Sequence, residues 1–343
     1  MINVDKMATN STPRLRRASK NTLNRSIKKK PLPEPTHLGH FVIIAIMALC
    51  KKVLHIDTSV KIGVYLCGTL IGSLMADLFA LPKSYFSDKK NMFNRVFVSF
   101  GFGWTLILLS TYIFLTSFVL TFGNIKLVIR KHMLRLAIAT FWWYSLTKLF
   151  TYVDSMVGVC SIAGHSSKYD CIKAGRAWLG FDISGHVFLL IHNLLTISEE
   201  VKSFKDWTNL NGLLKEEDLS LKKNLTEDQV SQARELYKSL TPYIKVVILL
   251  LTFWMVFCEF MLVISVVYRF HTVTQKITAA FVAILCWFIS YRVVLETRAD
   301  ILPVQPGQSK LNYMKMKQRW LLPSFTLRPY TNYSYVLISV RLI

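Results

Sequence analysis

The sequence predicts an all-α, polytopic membrane protein with six transmembrane helices, and three observations carry that reading. Of 343 residues, 52% are hydrophobic and only 18% are charged, against about 25% charged in soluble domains. Mean hydropathy is +0.36. Apolar windows recur that match the roughly 20 residues needed to cross a ~30 Å hydrocarbon core. Finally, the net charge of +22 is concentrated in the polar tails, as expected for segments held on the cytoplasmic side of a membrane.

Residues 1–38 carry nine Lys/Arg against two acids and are rich in Ser, Asn and Pro. They are expected to form a disordered basic cytoplasmic tail whose charge can touch anionic lipid. A polar stretch of this length ahead of the first apolar run argues against a signal peptide. Residues 39–58 follow. Their apolar run, Phe41 to Cys50, stops at Lys51-Lys52, which is too short to span, so an interfacial or re-entrant helix near 40–52 is expected.

Six spans are expected at 62–81, 96–122, 133–153, 179–198, 243–268 and 277–294, within a membrane domain of residues 59–294. The fifth is the clearest, because Tyr243 to Tyr268 shows no polar face such as a soluble helix of that length requires. Residues 199–242 carry seven basic and nine acidic groups and are read as a cytoplasmic loop, partly helical around Glu227–Leu240. Residues 295–343, with seven Lys/Arg against two acids, close the chain as a second basic tail. Basic termini also occur in nucleic-acid-binding proteins, but spanning segments lie between these two, and no nucleic-acid partner is expected.

An even number of spans puts both basic termini inside. The 123–132 link, also basic, then lies inside; the 82–95 link, with Lys83, Lys89, Lys90 and Arg95, lies outside against the rule. The loop 154–178 falls outside too. Cys160 and Cys171 share that loop, where an oxidising lumen permits a disulfide. The other four cysteines sit in or beside apolar segments as buried thiols, and no CxxC metal pattern occurs. The sequons at Asn10, Asn24, Asn224 and Asn332 all fall on the cytoplasmic side in this topology, so none should carry glycan.

Ionisable groups at membrane depth are costly and point first to function. The fourth span opens with GFDISGHVFLLIHN. Asp182 and His186 are four apart and on a helix would share a face, with the carboxylate orienting the imidazole. His192 lies roughly 240° round the helix from His186 and is read as a structural hydrogen-bonding group. His271 follows the fifth span, and two crossings separate it from His186, so both imidazoles reach the same outer face. Such a pair suits a nucleophile and a general acid for phosphoryl transfer. As metal ligands, two histidines with no third nearby make a weak site, and no metal is expected. Lys173, Arg176 and Lys276 lie on the same side as phosphate-binding candidates, although cations at helix ends also snorkel without function. The pair Gly68 and Gly72 permits close helix packing. Of the other in-helix ionisable groups, Asp77, Lys148, Lys245 and Glu259, the pair Lys148 and Glu259 is expected to neutralise itself inside the bundle.

Four stretches carry a family resemblance: YFSDKKNMFNRVFVSFGFGWT (85–105), LRLAIATFWWYSLTKLF (134–150), CIKAGRAWLGFDISGHVFLL (171–190) and FHTVTQK (270–276). They resemble the fat storage-inducing transmembrane proteins, from residue 85 to about 292. The resemblance implies a six-helix protein of the endoplasmic reticulum with both termini cytoplasmic and a role in lipid droplet formation. It also implies a fatty acyl-CoA diphosphatase needing no cofactor. That family is similar to the lipid phosphate phosphatases in using an SGH histidine and a second histidine. The two positions match His186, in Ser184-Gly185-His186, and His271. The chain departs from the phosphatases in lacking a Lys-x6-Arg-Pro clamp. It also has Gln275 four residues past the second histidine, where they use Asp. Gln275 can hold an imidazole but not stabilise imidazolium as an anion does, unless another carboxylate such as Asp182 approaches. The implied partners are fatty acyl-CoA, membrane lipids and neutral lipids. Competing readings are a non-catalytic binder that partitions triacylglycerol or diacylglycerol, a phosphatidic acid phosphatase and, less favoured, a transporter.

Overall fold

The computed structural model describes residues 38–54, 56–79, 82, 84–88, 91–162, 167–216, 219–297, 302–311 and 313. The chain divides into two units, Met1–Ile43 and Ile44–Ile343. Of the first, only the start of helix α1 (Leu38–Leu54) is described; the tail expected at 1–38 and most of that at 295–343 lie outside the described residues.

The described residues of the second unit are mostly helical. Helix α2 (Thr58–Leu78) is capped by Asp57, whose carboxylate accepts from the Ser59 N–H. A 3-10 turn at Tyr85–Ser87 and a π-helical stretch at Phe93–Val98 lead to α3 (Gly101–Leu120). The short turn α4 (Ile125–Leu127) and a second π-helical stretch (Val128–Met133) lead to α5 (Leu134–Val157). Strand β1 (Val159–Cys160) pairs antiparallel with β2 (Trp178–Leu179), and between them lies α6 (Lys168–Lys173). Cys160 and Cys171 form a disulfide that staples this loop, with Cα atoms 5.7 Å apart. Helix α7 (Gly185–Glu200) is followed by the short helices α8 (Lys202–Lys205), α9 (Trp207–Leu214) and α10 (Leu219–Lys223). Last come α11 (Glu227–Val267) and α12 (Val273–Phe288), the latter continued by π-helical turns at Ile289–Val294.

Four of these helices are long and apolar enough to cross a membrane: α2, α3, α11 and α12 with its π extension. The two other expected spans are different in kind. Helix α5 carries Arg135, Lys148 and Asp154. Helix α7 has only 16 residues, a rise of about 24 Å. It starts at Gly185 rather than at 179, because Trp178–Leu179 is strand and an extended segment precedes the cap at Ser184.

Helix α11 corrects the sequence reading most. It begins 16 residues before the apolar run, at a capping box made by Thr226 and Gln229, with Glu227 and Asp228 in its first turn, where carboxylates favour the helix dipole. It runs through Pro242 without ending. Proline removes one ladder hydrogen bond and crowds the preceding turn, but tertiary contacts hold the first half. Arg234 donates to the Leu214 carbonyl at 2.8 and 3.0 Å, and Tyr237 stacks on Trp207 with ring centroids 5.5 Å apart. The expected loop 199–242, read as partly helical around Glu227–Leu240, thus contains the first half of α11 and three short helices, of which α9 and α10 pack against α11.

At the centre stands α7, in which every residue from Val187 to Glu200 except Leu189 is buried. It packs against α2, α3, α5, α11 and α12. Helix α12, which packs on both α7 and α2, buries the small residues Ala279, Ala280 and Ala283 fully, and small buried residues permit close helix approach. His192, on this buried helix, pairs its Nε2 with the Ala139 carbonyl at 3.1 Å, a structural contact.

The far end of α7 is held by charge. Arg135 grips Glu200 through Nε and Nη2 at 2.8–3.0 Å, and the Tyr291 hydroxyl donates to the same carboxylate at 3.0 Å. Glu199 pairs with Lys202 at 2.7 Å and accepts from Trp287 Nε1 at 3.1 Å. Buried carboxylates are tolerated only when paired and hydrogen-bonded in this way. The C-terminal segment closes over them. Arg135 donates to the Val304 carbonyl at 2.9 Å, and the Tyr313 hydroxyl donates to the Ser203 carbonyl at 2.9 Å. The expected pairing of Lys148 with Glu259 does not occur: Glu259 accepts from Tyr65 and Lys148 lies over the Tyr144 ring.

Candidate active site

The two sequence-derived histidines sit at the starts of two helices that meet. His186 is the second residue of α7, just inside the Ser184 cap, whose hydroxyl accepts from the Val187 N–H. His271 immediately precedes Thr272, the cap of α12. The Ser184 N–H donates to the Gln275 carbonyl at 3.4 Å, so the backbone of the SGH motif is tied directly to the first turn of the second-histidine helix. Two helix N-termini therefore converge with their orphan N–H groups and positive dipole ends, the arrangement that favours phosphate.

Asp182 is where the structure departs from helical-face reasoning. It lies in the extended lead-in to α7, not on the helix, so the i, i+4 argument linking it to His186 does not apply. Its Oδ2 instead stands 3.7 Å from Nδ1 of His271. The His271 side chain is only 13% exposed, whereas that of Asp182 is 65% exposed. The structure thus places a carboxylate beside the second histidine.

Gln275 has a different task. Its Oε1 accepts from the Thr272 N–H at 3.0 Å, while the Thr272 hydroxyl accepts from the Gln275 N–H at 3.4 Å. This capping box fixes the start of α12 and so the place of His271, but it corrects the expectation that the amide holds the imidazole.

Lys276 is also corrected. It is 1% exposed, and its ammonium donates to the carbonyls of Val266 and Tyr268 at 2.6 and 3.1 Å. It satisfies the orphan carbonyls at the end of α11 and is spent as a cap rather than offered to phosphate. Lys173 and Arg176 are both exposed on the stapled loop, with Lys173 over the Tyr169 ring at 5.9 Å. That loop is fixed to α5 by Lys168, which pairs with Asp154, and by Trp178, whose Nε1 donates to the Asp154 carbonyl at 3.2 Å. Gly180 lies in the same corner, where an added Cβ would come 2.2 Å from Asp154. The WLGFD stretch is thereby held close to α5 on its way to Asp182.

Sequence reasoning missed Arg269. Its guanidinium donates to the carbonyls of Ala76, at 2.6 Å, and Asp77, which pins the RFH segment to the end of α2. An arginine two residues before the histidine was the available signal, and it reads equally well as an interfacial charge. Among the described residues, no group of three or more His, Cys, Asp and Glu side chains is placed to hold a metal ion.

A family description, fat storage-inducing transmembrane protein, matches residues 82–164 and 153–291. Curated relatives named acyl-coenzyme A diphosphatase FITM2 are similar along much of their length. That of Drosophila melanogaster is 33% identical over 296 residues, covering 83% of this chain and 70% of the relative. That of Mus musculus is 34% identical over 233 residues, 65% of this chain and 77% of the relative. That of Homo sapiens is 32% identical over 230 residues, 65% and 77% respectively. No solved structure matches the chain.

Proposed function

The chain belongs to the fat storage-inducing transmembrane protein family, and on that premise we propose that it is a fatty acyl-CoA diphosphatase. It cleaves the diphosphate of fatty acyl-CoA to acyl 4'-phosphopantetheine and adenosine 3',5'-bisphosphate. The observation that carries this reading is Asp182 set 3.7 Å from Nδ1 of His271, at a pair of helix N-termini joined by the Ser184–Gln275 backbone bond.

The chemistry follows from that geometry. With Nδ1 turned to Asp182, Nε2 of His271 attacks one phosphorus, and the bond from that phosphorus to the bridging oxygen breaks. His186, as imidazolium, gives its proton to the departing phosphate. Neutral His186 then takes a proton from water, whose oxygen displaces His271 from phosphorus. The Asp182 carboxylate offsets the positive charge on the phosphorylated ring. A phosphate leaving group ionises near neutral pH and needs less acid help than an alkoxide, so one partly exposed imidazole is sufficient. The convergent helix N-termini favour the negative charge of the diphosphate. Lys173 and Arg176, on the loop leading into Asp182, are the proposed phosphate partners from the original three cations.

The site lies at the lumenal face of the endoplasmic reticulum membrane, where the activity supports lipid droplet formation. The proposed topology keeps six spans, with α5 and the enclosed α7 joining the four long apolar helices. Both termini and the 199–242 helices are then cytoplasmic, and α1 is interfacial. Basic tails on one side support this orientation.

The test is turnover of oleoyl-CoA by purified full-length protein in detergent, beside His186→Ala and His271→Ala. Release of adenosine 3',5'-bisphosphate by the parent and its loss, by at least a hundredfold, in both folded variants is the expected result. Undiminished release in both variants would overturn the two-histidine assignment; no turnover by the parent would overturn the diphosphatase.

A further inference from the structure

A groove of about 430 Å³ runs between α2 and α11, outside the groups used above. Its walls are apolar, among them Val64, Leu262, Val263 and Val266. The two glycines of the α2 pair take different parts in it. A Cβ on Gly72 would meet the Val266 side chain at 2.7 Å, so that glycine sets the contact between the helices. A Cβ on Gly68 would meet nothing within 4 Å: its missing side chain is part of the open space.

Both ends of the groove are chemically distinct. At the end formed by Gly72, Val266 and Val267, it approaches the candidate site, because Arg269 ties the segment bearing His271 to the carbonyls of Ala76 and Asp77 at the end of α2. Towards the start of α2 stands a polar rung. Tyr65 donates to Glu259 at 2.9 Å, and Lys61 donates to Ser198 at 3.0 Å and to the Met255 sulfur at 3.4 Å. From Gly72 to Lys61 the rise along α2 is roughly 17 Å. Along the open side, Val64 and Val263 are 59% and 60% exposed, so the lips of the groove are apolar.

We propose that this groove binds the fatty acyl chain of the substrate, which slides in sideways from the bilayer and stops at the Lys61–Tyr65–Glu259 rung. This rests on the diphosphatase reading. The occupant is argued from the two ends. Converging helix N-termini favour an anionic head at the site, and the polar pantetheine arm stays in the headgroup layer above Gly72. An apolar slot leading away from there accepts a single chain, whose methylenes each favour an apolar environment by about 0.8 kcal/mol over water. The rung ends the slot, because a methyl terminus cannot replace the hydrogen bonds of Tyr65, Glu259 and Lys61.

The experiment uses full-length His271→Ala protein in phosphatidylcholine vesicles and an oleoyl-length acyl-CoA with a photoactivatable diazirine in mid-chain. The expected label falls on the Val64–Ile71 and Leu262–Val267 peptides, is displaced by excess oleoyl-CoA and drops at least tenfold in His271→Ala carrying Gly68→Phe as well. A label elsewhere in the chain overturns the proposal. So does a groove label that excess oleoyl-CoA fails to displace and that a diazirine phosphatidylcholine reproduces, since the occupant is then bulk lipid. Mapping the label on unsubstituted Gly68 decides the matter even if the phenylalanine variant fails to fold. Because labelling needs no turnover, its outcome is separate from that of the oleoyl-CoA hydrolysis test.

Discussion

Asp182 Oδ2 lies 3.7 Å from Nδ1 of His271, across the junction where the lead-ins to α7 and α12 meet. The carboxylate is largely exposed and the imidazole largely enclosed, so the contact does not bury a full ion pair, whose desolvation would outweigh much of its attraction.

Replacing that carboxylate with an isosteric amide is expected to slow chemistry more than binding. Asp182→Asn should lower kcat on oleoyl-CoA roughly ten- to hundredfold, the lower part of what a positioned acid–base group contributes. KM should move less than threefold. A kcat equal to that of the parent would remove Asp182 from the mechanism.

Lys276 is expected to matter for stability rather than for substrate. Its two bonds to the carbonyls of Val266 and Tyr268 are of the charged kind worth about 1.5–3 kcal/mol. Lys276→Met should lower the Tm in detergent by several degrees and leave KM for acyl-CoA within twofold. A tenfold rise in KM at unchanged Tm would return Lys276 to the phosphate site.

The Cys160–Cys171 disulfide closes a short loop, with a sequence separation of 11. Chain entropy in the unfolded state then gives it about 3 kcal/mol of stabilisation. Cys160→Ser/Cys171→Ser should show a lower Tm, and the parent should react with maleimide at these positions only after reduction. Reaction of both thiols in unreduced protein purified from a membrane fraction would contradict the bridge.

His132 makes the protein acid-sensitive. Burial, reinforced by the neighbouring Arg135 guanidinium, pushes its imidazole down to about 3, whereas an unfolded histidine titrates near 6.5. Between those values only the unfolded chain binds the proton, so stability falls as pH falls below about 6.5 and levels off near 3. At pH 5 the loss from this group is about 2 kcal/mol. Thermal unfolding of the parent and of His132→Gln at pH 7.5 and pH 5 checks it: the variant should lose less Tm on acidification.

The α2 and α11 glycines and charges show why some features were not legible beforehand. Gly68 and Gly72 form one pattern in sequence, yet only Gly72 touches α11. Glu259 was read with Lys148 as its partner, and the packing gives it Tyr65. Pro242 removes a ladder hydrogen bond, and the contacts of Arg234 and Tyr237 with α9 hold α11 on its N-terminal side. In each case a local rule competed with a long-range contact that no window of sequence contains.

The sequence by itself was sufficient for the helical membrane class and for the family. Apolar windows gave a polytopic helical membrane protein, since hydrocarbon demands long uncharged helices. The stretches around Ser184-Gly185-His186 and Phe270-His271 carried the family resemblance and named both histidines as candidates. What only the tertiary structure decided is which helix ends meet: Asp182 beside His271, Gln275 and Lys276 engaged as caps, and α7 buried from Val187 to Glu200 except at Leu189. Those outcomes rest on which helix termini converge, and convergence is set by packing among α2, α7, α11 and α12, a property of distant residues together and not of any segment alone.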